Sequence, residues 1–108
     1  MNKIVTKWIE PYILLEQLKT TCDMKNFVFD GVSKTQIKNK FFNCLKEDGY
    51  FGLYMKNVNQ FYLFKGIVDI ETLLNLSKDD IKEVSDSQTV IDLVDMGRAE
   101  AGFIFNIS

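Results

Sequence analysis

Histidine is absent from these 108 residues, arginine and proline occur once each, and cysteine occurs twice. Without histidine the chain builds no Ser-His-Asp or Cys-His nucleophile pair. It also builds no His-containing zinc site and no imidazole proton shuttle working near neutral pH. Cys22 and Cys44 are too few for an all-cysteine zinc site or a disulfide scaffold. Both fall at apolar positions of predicted helices, where free cysteine acts as a small buried hydrophobe, and reduced thiols suit a cytoplasmic protein.

Long apolar runs are missing too. Tyr12-Ile13-Leu14-Leu15, the run that follows Lys3 and Lys7, is too short for a signal-peptide core or a bilayer span. The six glycines are scattered and form no phosphate-cradling Gly-rich pattern. The acids form no calcium loop. These absences lead to the expectation of a cytoplasmic, non-enzymatic protein with no cofactor, no metal site and no membrane contact. An enzyme working through Asp/Glu, Lys or Tyr alone stays as a minor alternative, since paired carboxylates depend on spacing in three dimensions.

What is present suits a packed core. Apolar residues make up 46% of the chain, with nine Phe, four Tyr and one Trp. One domain over residues 1–108 follows from the length and the lack of any linker. Ile4, Trp8, Tyr12, Leu15, Leu18 and Cys22 recur at helical steps and predict a helix with one buried stripe, kinked or split near Pro11. Phe27-Val28-Phe29 reads as a strand ending at Asp30-Gly31, and Ser33-x-x-Gln36 as a capping box. The helix it opens carries Ile37, Phe41, Cys44 and Leu45 inward, with Gly49 as its stop.

Tyr50–Met55 and Gln60–Phe64 read as hairpin strands around Asn57-Val58-Asn59. Asp69 suits the cap of a helix carrying Ile70, Leu73 and Leu74, and Ser77–Asp80 a further helical turn carrying Ile81 and Val84. Thr89–Met96 fits either period and is read as a strand on its β-branched content. Phe103–Ile107 is a terminal strand. The fold class is therefore α+β, with a mainly antiparallel sheet of four or five strands packed by about three helices. A ferredoxin-like βαββαβ order is the alternative.

Charge is divided along the chain. Residues 1–66 hold ten lysines against six acids, and residues 67–108 hold three bases against nine acids. Asp79, Asp80, Glu83, Asp86, Asp92 and Asp95 are the candidate partner-binding residues, because such a patch steers a basic partner. The same acids also suit helix caps and a solvated face. The expected function is a small protein-binding inhibitor, such as an immunity protein or antitoxin that occludes a toxin, in the first instance a basic nuclease. A phage-encoded anti-defence protein that mimics nucleic acid is the alternative.

Nucleic acid is not the expected partner. Net charge is −2 with a single arginine, so phosphate is poorly neutralised. Tyr50-Phe51-Gly52-Leu53-Tyr54 departs from the RNA-recognition pattern at Asp48 and Phe51. A nucleic-acid module using Lys34, Lys38, Lys40 and Lys46 remains the third reading.

Overall fold

The computed structural model describes residues 1–28, 33–47, 49–55 and 60–105. Its elements run β1 (Asn2–Val5), α1 (Pro11–Lys19), β2 (Asp23–Val28), α2 (Lys34–Leu45), β3 (Tyr50–Met55), β4 (Gln60–Lys65), α3 (Ile70–Leu73), β5 (Ile81–Val84), α4 (Ser87–Asp95) and β6 (Ala101–Ile104). The strands form one open sheet of six in the order β2-β4-β3-β6-β1-β5, and every pairing is antiparallel.

Helices cover both faces of this sheet. On one, Leu14 and Leu18 of α1 and Ile70 of α3 join Val5, Phe51, Leu53, Phe64 and Phe103 in a single core. On the other, Ile37 and Phe41 of α2 and Val90, Ile91 and Val94 of α4 join Ile4, Tyr54, Phe61, Leu63 and Ile104. Antiparallel sheets commonly leave one face to water and then alternate in polarity. Here neighbouring residues such as Phe61, Tyr62, Leu63 and Phe64 are all buried, with successive side chains entering opposite cores. The free cysteines are divided likewise: Cys22 lies in the α1 core, while Cys44 packs against the α2 core.

The α+β class holds, but six strands and four helices replace the four or five strands and about three helices of the sequence reading. The N-terminal segment begins as a strand, because Asn2–Val5 is paired on both sides, to β5 and to β6. Helix α1 starts only at Pro11, which supplies a preset φ at a helix's first position. Ile81–Val84 is a strand rather than a helical turn. Ser87–Asp95 is a helix, opened by Asp86, whose carboxylate accepts from the Thr89 amide at 3.1 Å.

The topology also departs from the ferredoxin-like alternative. There the last strand would lie beside the first strand of the βαββαβ unit, whereas β2 is an edge and β6 lies beside β3. The proposed hairpin turn at Asn57–Asn59 and the residues Phe29–Gly31 and Asn106–Ile107 lie outside the described residues.

Other local readings hold. Ser33 and Gln36 form the reciprocal capping box of α2, and Asp69 caps α3 through the Thr72 amide. Asp69 and Asp86 each accept from a threonine hydroxyl, at 2.9 and 2.7 Å. Those Thr hydroxyls are the main reason both carboxyls titrate below the usual aspartate value. For Asp80, held low as well, the main cause is the Ser77 amide.

A lowered folded pKa contributes stability above the unfolded value, which is about 3.9 for aspartate, and loses it as pH falls through the folded value. The melting temperature should therefore drop progressively below about pH 4. In Asp69→Ala/Asp86→Ala a pH series of thermal melts should show a shallower drop; an unchanged slope would count against these caps as the acid-sensitive groups.

Candidate functional site

The division of charge along the chain becomes a division across the sheet. Strands β2, β4 and β3 with α2 come from residues 23–65, which hold seven lysines against four acids. Elements α3, β5, α4 and β6 come from residues 69–104, which hold three bases against nine acids. The sheet thus has a basic side ending at β2 and an acidic side ending at β5.

The six candidate acids do not share one face. Asp79 and Asp80 lie in the turn before β5, where Asp80 accepts from the Ser77 amide at 2.9 Å and its hydroxyl at 3.1 Å. Glu83 stands opposite Lys3 on β1, in the register that places Val5 and Ile81 in the α1 core. It lines a groove of about 310 Å³ with Glu71, Leu76, Lys78 and Ile81. Asp86 caps α4 on the other side of the sheet. Asp92 and Asp95 are brought together, both lining a groove of about 250 Å³ between α2 and α4 with Lys34, Lys38 and Gln88.

At one end of that groove Tyr54 of β3 lies beneath two helix ends. Its hydroxyl donates to Asp95 Oδ1 at 2.5 Å and accepts from the Lys34 ammonium. Lys34 also stands 3.3 Å from Asp95 Oδ1. Each charged residue is at the unfavourable end of its own helix dipole: Lys34 opens α2 and Asp95 closes α4. They compensate by facing each other.

Burial raises the Tyr54 pKa, with the Asp95 hydrogen bond acting in the same direction. Lys34 loses some basicity to burial but gains more from its bonds to Tyr54 and Asp95, so it stays cationic. The arrangement can present acceptors and donors to a polar ligand.

Trp8 and Tyr12 depart from the sequence reading, which placed both on a buried stripe. They are 65% and 71% exposed, and Ile13 is 56% exposed. The helical spacing counted from Ile4 fails because β1 ends at Val5 and the chain is not helical before Pro11. Trp8 stands at a groove of about 240 Å³ lined by Lys7, Ile9, Pro11, Met55 and Glu100. Met55 follows Tyr54 along β3, so this groove and the Tyr54–Asp95 contact lie at the same end of the sheet, on its two faces.

Among the described residues, no group of three or more metal-ligating side chains is placed to hold a metal ion. Among them, too, no helix is long and apolar enough to cross a membrane. Comparison of the chain with protein-family models, curated proteins and solved structures finds no match.

Proposed function

We propose that this protein is a small protein-binding inhibitor, of the immunity-protein or antitoxin kind, that occludes the active surface of a basic protein such as a nuclease. The observation that carries this reading is the exposure of Trp8, Tyr12 and Ile13 together at one end of the sheet. Large aromatics so placed supply the buried anchors that dominate protein interfaces. Asp79, Asp80, Glu83 and Asp86 towards β5 supply the negative field that draws in a cationic surface, while Asp92 and Asp95 share their groove with Lys34 and Lys38. Anchors and steering charges thus fall to different residues, and the carboxylates need not all be covered.

The test is a calorimetric titration against the product of the gene adjoining this chain's own, with cell survival as a second readout. Trp8→Ala/Tyr12→Ala should weaken binding by at least about 30-fold, the threshold of an interface hot spot. Its melting temperature should stay close to that of the parent, because both side chains are exposed. Asp79→Lys/Glu83→Lys/Asp86→Lys should slow association and reduce its salt dependence. Wild-type affinity in the double alanine variant would refute the anchor assignment.

A further inference from the structure

The basic side of the sheet carries an arrangement that binding a basic partner leaves unused. Tyr50, at the start of β3, packs at the margin of the α2 core. The ammonium groups of Lys25 on β2 and Lys65 on β4 lie 5.8 and 5.5 Å from its ring centroid. Two like charges are thereby held beside one ring. Each distance is near the outer limit of a useful cation–π contact, so the ring orders the ammoniums without neutralising them.

Four other lysines are engaged elsewhere. Among the described residues, Lys3, Lys19 and Lys34 pair with Glu71, Glu16 and Asp95, and Lys38 donates to Gln88. Lys25 and Lys65 take part in no described ion pair, and neither do Lys40, exposed on α2, and Lys46 at its C-cap. Asp23, the strand partner of Lys65, and Glu47 and Asp48, which precede Tyr50 in the sequence, reduce the local field.

We infer that this corner, centred on Tyr50, Lys25 and Lys65, binds single-stranded nucleic acid. A phosphate between the two ammoniums would relieve their mutual repulsion. As they move onto phosphate they leave a tyrosine face on which an unpaired base stacks, the usual combination in single-strand binding. Whole-chain charge hides such a site because the acids are gathered at the opposite side of the sheet. Lys34 and Lys38, two of the four lysines of the nucleic-acid reading of the sequence, are committed to the groove between α2 and α4.

Fluorescence anisotropy of the full chain with a labelled twelve-nucleotide oligouridylate tests this. With Lys25 and Lys65 engaged, affinity should fall about 7-fold between 50 and 200 mM salt, from the single-strand counterion slope. Lys25→Gln/Lys65→Gln should bind more weakly at low salt and lose most of that salt dependence. Tyr50→Leu should weaken binding without changing the slope. Absence of binding by the parent at 50 mM salt would overturn the inference, as would an unchanged slope in the double variant. Equal affinity for polyglutamate of matched charge would also overturn it, reassigning the corner to an acidic protein.

Discussion

Replacing Gly52 by alanine should destabilise the protein by about 3 kcal/mol, although alanine is the better strand former by roughly 0.5–1 kcal/mol. The sign is decided by Phe41. A Cβ on Gly52 would stand 2.0 Å from Phe41 Cζ and under 3 Å from both Cε atoms. The ring has little room to retreat, because it is fully buried and lies 4.9 Å, centroid to centroid, from Phe61. Phe61 is in turn stacked at 4.7 Å on Tyr54. Thermal melts should show a drop of roughly 10–20 °C for a domain of this size.

The companion variant fixes the cause. Phe41→Leu alone should cost about 1–3 kcal/mol for the space it opens. Since leucine lacks the Cζ that meets the new methyl, Gly52→Ala/Phe41→Leu should be more stable than the sum of the two changes by at least about 1 kcal/mol. Additive losses would mean that Gly52 is required for some reason other than the ring above it. Gly102 on β6 has the same relation to α4, since a Cβ there would meet Val90 Cγ1 at 2.3 Å. Both helices of this face are thus seated on a glycine, which positions α2 and α4 and the groove between them.

Much of the fold was legible where the signal is local. Ser33 with Gln36, Asp69 and the aromatic runs of β3 and β4 each carry their own geometry, and each is found as read. Two of the failures share one cause. A sheet covered on both faces loses the alternation by which a strand is recognised, so Ile4, buried like its neighbour Val5, reads as the start of a helical stripe continuing to Trp8 and Tyr12. Ile81 and Val84, three apart at the edge, pack towards different cores and mimic a helical step. Thr89–Met96 was misread from β-branched content, although Asp86 and Thr89 already formed a helix start.

At the candidate site, sequence gave the charge but not its placement. Asp92 and Asp95 share a groove because they lie on one helix, a proximity the strand reading could not supply. The exposure of Trp8 was concealed by the same mistaken stripe. Tyr50 with Lys25 and Lys65 had no sequence signature at all, since it depends on the order β2-β4-β3.

Asn2 provides the second large effect, and its direction with pH distinguishes it from the capping aspartates. It is fully buried in the edgeward part of the sheet. Its Nδ2 donates to the Ser85 carbonyl at 3.3 Å and its Oδ1 accepts from the Phe105 amide at 2.8 Å. One side chain thereby ties β1 to the turn before α4 and to the chain leaving β6. Asn2→Ala should cost about 2–4 kcal/mol, from two lost hydrogen bonds and the space left behind.

Asn2→Asp is the sharper test. At pH 7 it places a carboxylate in a buried site facing a carbonyl oxygen, which favours the neutral acid and raises the folded pKa above the unfolded value of about 3.9. Stability associated with a raised carboxyl pKa is fully present below the unfolded value and is lost as pH rises through the folded one. The protonated acid can donate to Ser85 and accept from Phe105, restoring the asparagine pattern. Relative to wild type, this variant should therefore recover stability as pH falls from 7 towards 4, above the range in which the capped aspartates begin to fail. A difference between the two melting temperatures that stays constant across that range would show that Asn2 acts through its shape rather than through its paired donor and acceptor.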